Sequence, residues 1–275
     1  MKSIQAKKSL GQNFLKDKKI IERTVELSNL SNEDIVFEVG PGKGALTSFL
    51  LEKVKKVFVI EKDFRMIPIL KEKFEEEILE KKLEIIEGDA LDFDFSDFFK
   101  NKEYKIVANL PYYITGKFIS KVLEEEKKQP KSITLLLQKE VVERITGESR
   151  KGDRIFNDKK TNILKLSIEV YGKSKYLFTV SKKYFSPQPK IDSAVLFISE
   201  ISKDFFIKNK IIEKEFFKFL KLSFNQKRKK LIKNLRKEYP KEMLESVLDK
   251  LKISKDVRAE DLILENFKDI FINLF

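Results

Sequence analysis

The run Ile35-Val36-Phe37-Glu38-Val39-Gly40-Pro41-Gly42-Lys43-Gly44-Ala45-Leu46-Thr47 passes directly from a β-branched, apolar strand pattern through three glycines into a helical stretch, Ala45–Val54. Glycines at such a junction let the backbone turn sharply off a strand and let a ligand approach the main chain. The helix that follows would aim its free N–H groups at that ligand. Gly40, Gly42 and Ala45 also satisfy the dinucleotide fingerprint with Ala in third place, and a plain tight turn is compatible with the same residues. What the run decides is the fold class, because strand, glycine turn and helix together open a βαβ unit.

Outward from that run the alternation continues. Val57–Ile60, Leu83–Glu87, Lys105–Ala108, Ser132–Gln138, Lys175–Val180 and Ala194–Ser199 read as further strands. Arg65–Glu80, Gly116–Glu126, Lys139–Thr146 and Thr161–Tyr171 read as helices. Gly147–Lys160 is polar, charged and glycine-containing, which predicts an exposed loop. After Ile201 no strand pattern recurs; three or four helices are expected, with a stop at Pro240. An α/β domain over residues 1–200 and a small all-α domain over residues 201–275 follow from this division.

Composition narrows the chemistry by exclusion. Among 275 residues there is no Cys and no His, which removes thiol nucleophiles, disulfides, His-based triads and the usual zinc sets. A metal-free mechanism is expected, with any proton passing to a carboxylate, Lys, Tyr or water. Hydrophobic residues make up 41%, 24 of them Phe, enough for a substantial core. No apolar run reaches 18 residues and no apolar signal segment opens the chain, so a cytoplasmic protein without a membrane partner is expected. The formal charge of +13 favours a polyanionic partner. From Ile201 onward there are 19 basic and 12 acidic residues, so +7 of that charge lies in the last 75 positions. Between Phe216 and Lys237 stand nine basic residues, Lys218, Lys221, Lys227, Arg228, Lys229, Lys230, Lys233, Arg236 and Lys237, and no acidic one. A solvated helix face is the plain alternative for such a run.

Three polar residues stand at strand ends. Glu61 closes the second expected strand, 17 residues past Gly44, where an acidic group can hold a ribose diol. Asp89, in Gly88-Asp89-Ala90, closes the third, where a carboxylate can accept from an adenine amino group. Asn109 closes the fourth and opens Asn109-Leu110-Pro111-Tyr112. The amino group of a nucleobase is a poor nucleophile because its lone pair is spread into the ring. An Asn carbonyl and a backbone carbonyl held rigid beside a proline can re-aim that lone pair by accepting both amine hydrogens, and an adjacent aromatic ring can stack on the base. Singly, each carboxylate reads as a solvated strand-end charge, and Asn109–Tyr112 as a proline turn. With the glycine loop, however, they fall at the carboxyl ends of four consecutive strands, where open α/β sheets bind ligands.

At this point the sequence resembles the small-subunit ribosomal RNA adenine dimethyltransferases, the KsgA/RsmA family. The resemblance begins with Lys8-Ser9-Leu10-Gly11-Gln12-Asn13-Phe14-Leu15 and continues through the Gly40 loop, Glu61, Gly88-Asp89-Ala90 and Asn109-Leu110-Pro111-Tyr112-Tyr113-Ile114-Thr115. It resumes at Gln138-Lys139-Glu140-Val141, at Phe185-Ser186-Pro187-Gln188-Pro189-Lys190-Ile191-Asp192-Ser193-Ala194 and at Phe224-Asn225-Gln226-Lys227-Arg228-Lys229. The order and spacing of these blocks cover most of the chain. One departure lies between Arg144 and Ser167, where the family has a shorter link and this chain carries the polar stretch Gly147–Lys160.

The resemblance implies a Rossmann-like class I S-adenosylmethionine-dependent methyltransferase domain, with a mostly parallel seven-stranded sheet, followed by a helical RNA-binding domain. It implies that Asn13 and Leu15 cover the cofactor, that Gly40 faces its methionine part, Glu61 its ribose and Asp89 its adenine, and that Gly42 and Ala90 also belong to the cofactor site. Asn109 would stand against both cofactor and target amine, helped by the backbone around Leu110 and Pro111. Tyr112 would stack on the flipped adenine and Phe185 would close its other face. Lys221, Lys227, Arg228, Lys229, Lys230 and Lys233 would contact RNA. The implied activity is methyl transfer to the exocyclic amines of two adjacent adenosines in a hairpin loop near the 3′ end of 16S rRNA, giving N6-dimethyladenosines. A monomer acting on a precursor ribosomal particle is expected, with no metal. From the residues alone, the N-terminal block is compatible with a disordered basic tail and Phe185 with a core residue in a rigid loop. Three other readings stay open here: a large-subunit rRNA adenine methyltransferase conferring antibiotic resistance, an assembly or transcription-factor relative with little catalysis, and a nicotinamide-dependent oxidoreductase.

Overall fold

The computed structural model describes residues 6–7, 10–151, 154–157 and 160–275. Its strands are Phe14–Leu15 (β1), Ile35–Val39 (β2), Lys56–Glu61 (β3), Leu83–Glu87 (β4), Lys105–Asn109 (β5), Ile133–Gln138 (β6), Glu148–Lys151 (β7), Arg154–Asn157 (β8), Lys173–Val180 (β9), Phe185–Ser186 (β10) and Ser193–Ser199 (β11). Seven of them form one sheet in the order β4-β3-β2-β5-β6-β11-β9. Pairing is parallel from β4 through to β6, and β11 lies antiparallel on β6. All seven strands expected from the sequence are present, with ends shifted by one or two residues.

Successive side chains leave a strand on opposite faces, and the two faces here are covered differently. Val36, Val57, Val59 and Val107 join Leu50 and Leu51 of the helix Ala45–Lys53, and Val54 just past its end, in one core cluster, together with Val25 and Leu70. Phe37 and Phe58 face an aromatic layer of Phe93, Phe95, Phe98 and Phe99, at ring-centroid distances of 4.9 to 5.8 Å. Phe99 in turn stacks on Tyr104 at 4.0 Å. Edge-to-face rings of this kind stabilise beyond the area they bury, which gives the Phe-rich composition a structural use.

Several local expectations change. Arg65–Glu80 is two helices, Ile67–Lys73 and Glu75–Leu79, because Phe74 leaves helical geometry (φ −121°, ψ 35°) and is buried. Gly116–Glu126 starts as the α-helix Thr115–Ser120 and widens into a π turn, Lys121–Glu125. The expected loop Gly147–Lys160 instead contains an antiparallel hairpin, with β7 and β8 paired from Glu148↔Asn157 to Lys151↔Arg154. Ile155 and Phe156 are strand formers that the polarity of the whole stretch outweighed. Gly152, Asp153, Asp158 and Lys159 lie outside the described residues.

The chain divides into two compact units, Met1–Val142 with Ser174–Ile201 and Glu143–Lys173 with Ser202–Phe275. The last of the three crossings, at 201/202, lies one residue past the expected boundary at 200/201, but residues 143–173 group with the helical unit rather than with residues 1–200. The contacts responsible are specific. Tyr171 stacks on Phe217 at 6.0 Å and its hydroxyl donates to Glu213, while Thr161 N donates to Glu260 O at 2.8 Å. Five α-helices follow Ile201, namely Asp204–Asn209, Glu213–Ser223, Leu231–Leu235, Lys241–Lys250 and Leu264–Leu274. Pro240 caps the start of Lys241–Lys250 rather than stopping a helix, a place its fixed φ suits. Phe206, Phe216, Phe219, Phe267 and Phe271 fill the core of this unit. Among the described residues, no helix is long and apolar enough to cross a membrane.

Candidate functional site

From β2 the chain builds outward to β3 and β4, then returns to place β5 on the other side of β2. The strand order therefore reverses between β2 and β5, and a cleft outside the carboxyl ends is expected at that switch point. The structure has one there, enclosing about 760 Å³ if space open to solvent is counted. Its walls come from the glycine loop after β2, Glu61 and Lys62 after β3, Gly88–Ala90 after β4, Asn109–Ile114 after β5, and the N-terminal segment Leu10–Phe14.

Two glycines of the loop do different work. Gly40 has φ +66°, and a Cβ there would meet nothing within 4 Å, so the left-handed backbone requires glycine while the space beside it is left to a ligand. Gly42, also left-handed at φ +56°, lies so close to Phe14 that a Cβ would come within 2.7 Å of the ring. The loop is held from beneath by Gly42 N donating to Glu61 Oε2 at 3.0 Å and by Lys73 Nζ donating to Gly44 O at 2.7 Å.

Glu61 is buried, and burial pushes its carboxyl pKa up in spite of the N–H groups of Asp63 and Gly42 that it accepts. A carboxylate offers about four lone-pair sites, so these two bonds leave capacity for a diol. Asp63, next along, accepts from Gln12 Nε2 at 2.9 Å and from Arg65 Nε and Nη2 at 2.8 and 2.6 Å. The Arg65 hydrogen bonds hold its carboxyl down at about 2. At the next strand end, burial of Asp89 is outweighed by Lys62 Nζ at 2.6 Å and Leu91 N at 2.9 Å, so its pKa lies below the usual range.

Asn109 is tied to the N-terminal segment by Nδ2 donating to Asn13 O at 3.1 Å. A carbonyl can only accept, so this bond fixes the amide orientation and leaves Oδ1 without a partner among the described residues. Tyr112 is half-buried, and its hydroxyl shares a 2.8 Å hydrogen bond with Ser193 Oγ on β11.

Most of the expected site residues come together. Asn13, Gly40, Gly42, Glu61, Asp89, Ala90, Asn109, Leu110, Pro111 and Tyr112 all line the cleft. Leu15 and Phe185 do not. They pair across β1 and β10, and Phe185 is 4% exposed in a cluster with Leu136, Phe178, Val180 and Val195. In this structure Phe185 is a core residue whose burial takes its ring off the cleft wall. Lys8 and Ser9, which open the N-terminal block, lie outside the described residues.

The basic segment is also sorted by its partners. Lys221, Lys227, Arg228, Lys229 and Lys233 are exposed, whereas Lys230 pairs with Asp256 at 2.5 Å and Lys218 with Glu238 at 2.6 Å. The turn that presents Lys227–Lys229 is shaped by buried Asn234, whose Nδ2 donates to Ser223 O at 2.7 Å and Gln226 O at 3.2 Å.

Sequence reasoning assigned no role to Glu38, Gln12, Asp63 or Lys62. Glu38 carried a signal, an acidic residue inside a run otherwise fit for a buried parallel strand. Gln12, Asp63 and Lys62 carried none, since the contacts that tie them to the site, Gln12 to Asp63 and Lys62 to Asp89, join residues 51 and 27 apart in the chain.

The model for the family described as ribosomal RNA adenine dimethylase matches residues 3–274. The "Ribosomal RNA small subunit methyltransferase A" of Fusobacterium nucleatum is 38% identical over 266 residues, 96% of each chain. The protein of the same name from Clostridium botulinum, strain Langeland, is 40% identical over 94% of this chain and 90% of its own. Among solved structures, a dimethyladenosine transferase from Plasmodium falciparum superimposes with a TM-score of 0.75, at 26% identity over 94% of this chain and 96% of its own. The 23S rRNA methyltransferase ErmE shares the fold with a TM-score of 0.70, at 23% identity over 95% of this chain and 99% of its own. With a cleft at the switch point, Asn109 poised beside it and a family match from end to end, the chain belongs to the ribosomal RNA adenine dimethylase family.

Proposed function

We propose that the chain transfers methyl groups from S-adenosylmethionine to the exocyclic amines of two adjacent adenosines in a hairpin loop near the 3′ end of small-subunit rRNA, giving N6-dimethyladenosines. The observation that carries this reading is the fixed amide of Asn109, whose Oδ1 is left to accept at the edge of the cleft. The names of the relatives favour the small subunit over the large. The intact set Glu61, Asp89 and Asn109 favours catalysis over a purely structural role.

The donor set suits this cofactor. Glu61 would hold the ribose hydroxyls through its remaining lone pairs, Asp89 the adenine amino group, and the open side of Gly40 the methionine part. S-adenosylmethionine, when bound, supplies a methyl group on a sulfonium that leaves as a neutral thioether. Asn109 Oδ1 and a backbone carbonyl beside Pro111 accept the two amine hydrogens and turn the nitrogen lone pair out of the ring, while Tyr112 stacks on the base. Catalysis on this reading is positioning and electrostatics, and the surplus proton of the alkylated amine passes to water. Extruding a base costs less from a loop than from a duplex, which suits a hairpin loop in a precursor particle as substrate; on this reading the working form is a cytoplasmic monomer. Primer extension on small-subunit RNA treated with enzyme and cofactor tests it. Stops at two adjacent adenosines are expected; no stop, or one in large-subunit RNA instead, would overturn it.

A further inference from the structure

The helical unit has a pocket of its own, enclosing about 670 Å³ if space open to solvent is counted. Gly147 and Lys160, the two ends of the stretch where the chain departs from the family pattern, both line it. Most of its polar groups are committed. Lys160 Nζ is held by Glu260 Oε1 at 2.5 Å, Asn162 bridges Arg144 O at 2.7 Å and Lys165 N at 3.0 Å, and Glu143 Oε1 accepts from Ser149 Oγ at 2.9 Å. Three groups on the wall are not. The Arg144 guanidinium and the Lys227 ammonium are exposed and have no partner among the described residues. Thr161 Oγ1 is buried without a hydrogen bond, although Thr161 N is fixed by Glu260 O. Phe224, half-buried and tilted on Phe267 at 5.6 Å, completes the wall.

Each of these groups asks for something different from a ligand. Two uncommitted cations call for an anion, an aromatic ring offers a stacking surface to a base, and a buried hydroxyl without a partner costs free energy until something bonds to it. A bare polyanion would leave the ring unused, and an apolar ligand would leave the cations unanswered. An unpaired nucleotide satisfies all three. We propose that this pocket takes one unpaired nucleotide of the RNA, its phosphate against Arg144 and Lys227, its base on Phe224, and Thr161 giving a hydrogen bond; the proposal rests on the reading of the chain as an RNA-modifying enzyme.

The test is titration of the full chain with a single-stranded RNA hexamer carrying 2-aminopurine, whose fluorescence is quenched on stacking. Quenching should survive Tyr112→Ala, which empties the other stacking position, and should be lost in Phe224→Leu. Roughly tenfold weaker hexamer binding is expected in the latter, the usual order for one base stack. Arg144→Gln and Lys227→Gln, both exposed and without structural partners, should each lower affinity severalfold and flatten its salt dependence. Quenching that disappears in Tyr112→Ala but persists in Phe224→Leu would overturn the proposal, as would unchanged binding in both cation variants. Methylation of small-subunit RNA by the unaltered chain is read in parallel. Methylation with no effect of these variants on hexamer binding defeats this inference alone, and Phe224-dependent quenching without methylation defeats the functional reading alone.

Discussion

Glu38 Oε2 accepts a 2.7 Å hydrogen bond from Thr47 Oγ1 directly beneath the glycine loop, and neither side chain is reached by solvent. Burial pushes the Glu38 carboxyl up to about 8, and the charge of Glu61 adds to this against the Thr47 hydrogen bond and Lys73. The folded chain therefore keeps a proton on Glu38 over a range in which an unfolded Glu, near 4.5, has lost it. Its favourable contribution is complete below the lower value and disappears as pH rises through the higher one. At about 1.4 kcal/mol per unit, the span corresponds to roughly 5 kcal/mol. Glu38→Gln, an isostere of the neutral carboxyl, should lose less stability than the unaltered chain between about pH 5 and pH 9. Thermal melts of both across that range check this, and parallel curves would refute it.

Asn109→Ala should abolish methyl transfer. Because Asn109 also holds Asn13 O, cofactor binding should weaken too, but within roughly tenfold, about 1.4 kcal/mol. Single-turnover transfer and cofactor titration on the same preparation separate the two effects. Turnover at the original rate would remove Asn109 from the chemistry.

Replacing Glu61 or Asp89 by Ala should each cost cofactor affinity about 1 to 3 kcal/mol, the range for a lost charge-assisted hydrogen bond. The larger loss belongs to Glu61, which is buried and also holds Gly42 N. Asp89 is partly exposed, and its loss frees Lys62 to solvent. Calorimetry giving original affinity for both variants would defeat the assignment.

Reversing Lys227, Arg228 and Lys229 to Glu should weaken RNA binding and reduce the slope of log affinity against log salt by about 2 to 3, since each phosphate contact contributes about 0.7 to 0.9. Adding Lys230→Glu should change the slope little, because Lys230 is already neutralised by Asp256. Cofactor affinity should be unaffected. Filter binding over a salt series is the measurement, and an unchanged slope would return the segment to a solvated face.

The parts of the fold that were legible in the sequence depend on local order. Seven strands could be read because Val, Ile and Phe cluster in short runs between glycines and charged turns, and Gly40, Glu61, Asp89 and Asn109 could be assembled because each closes such a run. Phe185 shows where that reasoning ends. A motif position gives no information about which way a ring points, and here it points into the core formed by Val180 and Val195. The division into units was hidden for a related reason. Tyr171 and Thr161 join the helical unit through Phe217 and Glu260, partners 46 and 99 residues away in sequence, and periodicity carries no signal at such separations. The latch from Gln12 to Asp63, 51 residues on, was invisible for the same cause.

The bond between Tyr112 and Ser193 sets the timing of an entropic cost. A stacking ring that swings freely must be immobilised when its partner arrives, at about 0.5 to 1.5 kcal/mol for a side chain. Tyr112 is tethered through its hydroxyl to a residue with no solvent exposure on a strand of the central sheet, so its ring is already at rest before any base is present. On the proposed reading of Tyr112 as the stacking ring, that ordering belongs to folding rather than to recognition, and the ring is preorganised for each successive base.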